Sequence, residues 1–154
     1  MIRVERAIRI AAPAALAWEI LGDFAARHLA AGICKAITVV GEGVGAVRTM
    51  VLEDRYGGGY VQERLEGFDA KDRSMIYRII DSGPVPFADY TGTVRVTPAG
   101  PDACVAVMTS AFVPVEIDEE SARQMSVWNI ETALENARRA VLHHLQVTRE
   151  AAGV

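Results

Sequence analysis

The chain has little of what marks a special environment. Its two cysteines, Cys34 and Cys104, are far apart and lack metal-ligand spacing. They read as reduced thiols of a cytoplasmic protein rather than as a disulfide framework. There is no run of Lys and Arg, and the net charge is −4, which argues against a nucleic-acid surface. No apolar segment approaches the roughly 20 residues of a membrane-spanning helix. Met1 to Arg6 passes straight into an alternating pattern, with no signal-peptide core. His143-His144 has no third ligand nearby, so no metal site is expected. No serine or cysteine sits in a motif that suggests an activated nucleophile. Gly41-Glu42-Gly43-Val44-Gly45-Ala46 formally matches the relaxed dinucleotide fingerprint. That motif must open a helix, and Val47 to Glu53 reads as a strand, so it is hairpin chemistry and no cofactor is expected.

Proline and glycine are also missing where their absence matters most, between Asp118 and Glu150. That stretch predicts one helix of about thirty residues, about 45 Å long. Asp118 is its N-cap, and Glu119 and Glu120 complement the positive end of the dipole. Ala122, Met125, Ile130, Ala133, Leu134, Ala137, Val141 and Leu145 recur near every 3.6 residues on one face. Arg123, Glu131, Glu135, Arg138 and Gln146 fall on the other. An apolar stripe of this kind needs a partner surface.

Everything upstream reads mostly as β-structure. Arg3 to Ile10 alternates charged and apolar residues, as a half-buried strand does. Pro13 opens a short helix that Gly22 stops, and Asp23 caps a second short helix through His28 to Ala31. Lys35 to Val40 and Ala46 to Glu53 form a hairpin, followed by strands at Tyr60 to Phe68, Ser74 to Ile80, Asp89 to Thr97 and Cys104 to Val113. Short loops make neighbouring strands antiparallel. The composition, 51% hydrophobic and 23% charged, fits a soluble globular protein, and residues 1–150 are read as one domain.

Several stretches carry a resemblance that covers essentially the whole chain. They are Ile10-Ala11-Ala12-Pro13, Gly43-Val44-Gly45-Ala46-Val47-Arg48-Thr49, Glu63-Arg64-Leu65, Tyr77-Arg78-Ile79 and Pro86-Phe87-Ala88-Asp89-Tyr90, followed by the long final helix. In this order they resemble the superfamily of START domains, birch-pollen-type allergens and bacterial polyketide cyclase/dehydrase-like proteins. The resemblance implies an α+β helix-grip fold. In it a seven-stranded antiparallel sheet wraps a long C-terminal helix, two short helices lie between strands 1 and 2, and a cavity separates sheet from helix. The chain departs from the family at Arg27-His28-Leu29, where a Trp-His or similar pair is common.

Period-two counting tells which strand residues share a face, and the resemblance tells which face is inside. Arg48, Met50 and Leu52 then look inward, with Val61, Glu63 and Leu65, Tyr77 and Ile79, Tyr90, Gly92 and Val94, and Met108, Ser110 and Phe112. On the helix Met125, Asn129 and Ala133 face them, and Trp128 is core or a pocket lid. A mainly apolar wall with a few convergent polar groups is the make-up of a ligand pocket. Arg48 and Glu63 on neighbouring inward faces either form a structural ion pair, or polarise a ligand carbonyl and move a proton. Tyr77 and Tyr90 either pack or donate hydrogen bonds to a ligand oxygen. Asn129 bonds to a loop or to a ligand.

Three functions fit. One is a binder of a small hydrophobic or aromatic molecule, monomeric or homodimeric. A second is a cyclase, aromatase or dehydratase acting by acid/base catalysis with Glu63, Arg48, Tyr77 and Tyr90. A third is a partner-binding sensor whose loops, Gly57 to Gly59 and Pro84 to Pro86, close over ligand.

Overall fold

The computed structural model describes residues 1–153. The strands are β1 (Ile2–Ile10), β2 (Cys34–Val40), β3 (Val47–Leu52), β4 (Tyr60–Asp69), β5 (Ser74–Asp81), β6 (Phe87–Pro98) and β7 (Cys104–Pro114), with helices α1 (Ala14–Leu21) and α2 (Glu119–Ala151). All seven strands form one antiparallel sheet in the order β1-β7-β6-β5-β4-β3-β2. Five short connections make β2 to β7 a meander. The first strand returns beside the last, so β1 and β2 are the two edges.

Helix α2 begins as its sequence requires. The Asp118 carboxylate accepts a hydrogen bond from the Ser121 amide at 2.8 Å, satisfying one of the free N–H groups of the first turn. Its 33 residues run about 50 Å. Ala122, Ile130, Ala133, Leu134, Ala137 and Val141 are buried, and the stripe packs across β1, β7 and α1. Ser126 is buried within the same stripe, where its hydroxyl is 2.6 Å from that of Ser110 on β7. A buried hydroxyl pair satisfies both groups, which makes the polar break in the stripe tolerable.

One expected element is absent. A single helix, α1, lies between β1 and β2, and the second short helix expected through His28 to Ala31 is a string of turns. Asp23 does accept a bond from the Ala25 amide at 3.2 Å, but Ala26 then takes φ +50° and Gly32 φ +80°. Each left-handed residue resets the chain before a second helical turn can close. The bonds that form are short-range ones: Ala26 N–H to Asp23 at 2.9 Å, Leu29 N–H to Ala26 at 3.0 Å and Ile33 N–H to Ala30 at 2.9 Å. Asn136 of α2 stabilises the segment by donating to the carbonyls of Leu29 and Ala31, both at 2.9 Å.

A 3₁₀ turn, Asp54–Tyr56, joins β3 to β4. Its three side chains tie it down. Lys35 of β2 reaches Asp54 at 2.5 Å, the Arg55 guanidinium lies 3.6 Å from the Trp128 ring centroid, and the Tyr56 hydroxyl meets Asn129 Oδ1 at 2.5 Å. Two of these contacts are to α2, so the turn bridges the far end of the sheet to the helix. No helix among the described residues is long and apolar enough to cross a membrane.

Candidate ligand cavity

Between the inner face of the sheet and α2 lies a cavity of about 140 Å³. Alternation along the strands sends one set of side chains into it: Arg48, Met50 and Leu52 from β3, Val61 and Glu63 from β4, Tyr77 and Ile79 from β5, Tyr90 and Val94 from β6, and Met108 from β7. Met125, Asn129 and Ala133 of α2 complete that part of the wall. Four of the five methionines line it, giving a polarizable and adaptable surface.

Arg48 and Glu63 are direct cross-strand partners. Their side chains are only 6% and 5% exposed, so the pair belongs to the interior rather than to the solvated face. Arg48 Nε donates to Glu63 Oε1 at 3.0 Å, and Nη2 lies 2.8 Å from the same oxygen. Arg48 Nη1 donates to the Phe24 carbonyl at 2.8 Å. The guanidinium lies 4.5 Å from the ring centroids of both Phe24 and Tyr77. Burial is the largest influence and works against this charge, but Glu63, with Tyr77 and Tyr90 adding to it, holds the arginine above its ordinary pKa. Arg64 faces the other way and pairs with Glu66 at 2.8 Å.

The tyrosines are held in their neutral form. Burial, with Glu63 adding to it, pushes the Tyr77 phenol up to about 12. Tyr90 is likewise pushed well above the ordinary phenol value, again mainly by burial. Each keeps its O–H as a donor at any physiological pH. Cys34 also lines the cavity, and burial raises its thiol to about 11.

Five residues expected on the wall do not reach it. Leu65 points inward but lies in the core at 3% exposure, away from the cavity. Gly92 is covered by the Tyr77 ring, so closely that a Cβ there would sit 2.3 Å from Tyr77 Cε2. Ser110 is taken up by Ser126. Phe112 is fully buried behind the wall, stacked on Phe87 at 3.9 Å between centroids. Trp128 lies on the flank of α2 under Arg55. The four strand residues have the right face but the wrong depth or angle, and Trp128 lies off that face.

Other wall residues came from places where counting by two fails. Phe87 is brought in by a β-bulge: Asp89, at φ +51°, and Tyr90 together oppose Phe112 of β7. The extra residue lets Phe87 and Tyr90, three apart, share the inner face. Tyr56 comes from the 3₁₀ turn, Val85 from the β5–β6 loop, and Ala26, Leu29, Ala30 and Ile33 from the run of turns before β2. The two loops meet where Gly59 approaches Pro84. Only the aromatic or apolar character of Tyr56, Val85 and Phe87 in otherwise polar loops could have pointed to them.

A seven-stranded antiparallel sheet closed against one long C-terminal helix, with a cavity between them, defines a helix-grip protein. The chain belongs to the polyketide cyclase / dehydrase and lipid transport family, whose model matches residues 1–145. Among solved structures it is similar to the protein XoxI from Bacillus cereus, at 23% identity over 92% of this chain and 96% of that one, with a TM-score of 0.80. It is also similar to the Zhui aromatase/cyclase from Streptomyces sp. R1128, at 23% identity over 99% and 98%, TM-score 0.73. A third similar structure is norcoclaurine synthase from Thalictrum flavum in complex with dopamine and hydroxybenzaldehyde, at 19% identity over 93% and 87%, TM-score 0.75. At these identities the likeness is one of fold. No curated protein matches the chain.

Proposed function

We propose that the domain of residues 1–150 binds a small hydrophobic or aromatic molecule in the cavity between sheet and helix. The observation that carries this is the wall itself: apolar side chains on nearly every side, and a few polar groups converging on one volume. Maintaining such a space empty costs packing energy, which a ligand would restore. The test is calorimetric titration with small aromatic ketones, phenols and aliphatic alcohols, beside a blocked variant. Ala133 is buried on α2 and lines the cavity, so Ala133→Phe should fill it and abolish binding while the protein stays folded. Binding that survives this substitution would place the ligand elsewhere.

A second reading is catalysis of the cyclase, aromatase or dehydratase kind, which the family's description and the Zhui aromatase/cyclase support. The observation that favours it is the convergence of Glu63, Arg48, Tyr77 and Tyr90 on one apolar volume. Tyr90→Phe separates the two. A binder would lose the affinity of one hydrogen bond, about 0.5–1.5 kcal/mol. An enzyme that uses the phenol as an acid would lose about 10²–10⁴-fold in turnover.

A further inference from the structure

We infer that the cavity is selective for an uncharged ligand of about one aromatic ring bearing an acceptor oxygen, and that Glu63 is the residue that keeps anions out. The inference rests on the cavity being the binding site, and it adds the ligand's class.

The charges on the wall are few and already matched. Arg48 is the only cation among the residues that line it, and Glu63 neutralises it at 2.8 Å. Two aromatic rings, Phe24 and Tyr77, lie against its guanidinium at 4.5 Å, and Nη1 donates to the Phe24 carbonyl. Nε and Nη2 already face Glu63 and Nη1 the Phe24 carbonyl, so a ligand carboxylate would compete with buried partners for this group. The other charged wall residue is Asp23, itself bonded to Arg27 at 2.8 Å. The wall thus carries one positive and two negative groups, and an entering anion would lose its hydration and gain no counter-charge. An entering cation fares little better, because Glu63 is already engaged by Arg48.

The tyrosines define what the ligand offers in return. Tyr77 and Tyr90 line the cavity, and as neutral phenols both have an O–H to donate. A carbonyl, ether or phenol oxygen accepts from them without carrying charge into the site. Size sets the rest. The cavity of about 140 Å³ is close to the roughly 150 Å³ apolar cavity known to take up benzene. One ring with a short substituent fits it.

Three probes of matched size separate these points: acetophenone, benzoate and 1-phenylethylamine, the last two charged at pH 7. Calorimetry on the wild-type protein should rank acetophenone at least about tenfold tighter than either, since one tenfold step matches a single pKa unit of charge discrimination. Glu63→Gln keeps an acceptor for Arg48 and removes the negative charge. Benzoate affinity should then rise by about tenfold or more, because a buried cation without its counter-ion recruits one. Benzoate or the amine binding wild type as well as acetophenone would overturn the inference and leave the cavity's role as a binding site intact. So would uptake of two-ring ketones in preference to acetophenone. Failure of every aromatic, charged or neutral, would remove the binding function itself. Benzoate affinity that does not rise in folded Glu63→Gln would overturn the part given to Glu63, and Glu63→Ser is read in the same way should Glu63→Gln not fold.

Discussion

The Arg48–Glu63 pair allows a sharp test of how dry the cavity wall is. Consider Glu63→Leu, Arg48→Met and the double substitution. Glu63→Leu leaves a buried guanidinium with only the Phe24 carbonyl and two aromatic faces for company. Removing one partner of a buried ion pair costs about 3–5 kcal/mol. Arg48→Met strands the carboxylate and also takes the donor from the Phe24 carbonyl, a further 1–3 kcal/mol or so if no water replaces it. The double variant removes both charges and leaves side chains of similar size, so it should lie far closer to wild type than either single one, or above it. Urea unfolding followed by tryptophan fluorescence reads all four proteins. With a slope of about 2 kcal/mol per molar, a loss of about 4 kcal/mol moves the midpoint by about 2 M. Two single variants that each cost under about 1 kcal/mol and simply add would show a solvated pair. That result would refute the view that the wall desolvates its charges.

Other outcomes follow from close packing and from titration. Gly92→Ala puts a Cβ 2.3 Å from the Tyr77 ring, so the ring must leave the Arg48 guanidinium; a cost of about 1–3 kcal/mol is expected in the same urea assay. Ala137, with 0% of its surface exposed, lies in the buried stripe of α2, and Ala137→Leu should cost about 1–3 kcal/mol by melting or urea midpoint. An unchanged midpoint would mean that the helix can shift freely over the sheet. Cys34, whose thiol burial raises to about 11, should react with a disulfide reagent at pH 8 roughly 100-fold more slowly than a free thiol, and more slowly still with ligand bound. Alkaline stability should fall in a defined direction. The folded-state values of Cys34, about 11, and Tyr77, about 12, lie above the unfolded ones, so the folded form binds more protons in that range. Their contribution is level below about pH 9 and is lost as pH rises towards 12. Cys34→Ala should flatten the first part of that fall in a series of urea midpoints.

The elements whose side chains obey a fixed period could be read from the chain alone. Alternation gave all seven strands within two residues of their ends, and the 3.6-residue stripe gave α2 together with its Asp118 cap. Period could also place Arg48 and Glu63 on one face. It could not give depth, which is why Leu65 and Phe112 face inward without touching the cavity. Nor could it see a change of count. Stepping back by two from Tyr90 reaches Ala88 and leaves Phe87 outside, whereas the bulge at Asp89 brings Phe87 in. The segment from Asp23 to Ile33 failed for a different reason. Its helix-compatible composition is overridden by left-handed turns at Ala26 and Gly32 and by the amide of Asn136, 107 positions from Leu29. No local window contains that partner.

That bulge also decides where the length of the chain can change. In a regular strand the loss of one residue exchanges inside for outside along everything beyond it. Deleting Thr93 would do so, turning Tyr90 and Phe87 together to the solvent. Asp89 is the one surplus residue of β6, with two positions set against one on β7. Its loss would restore plain alternation with Phe87 and Tyr90 still on the inner face. A chain one residue shorter at this point would keep both aromatic rings where they are. One shortened four residues later would have to rebuild that wall of the cavity.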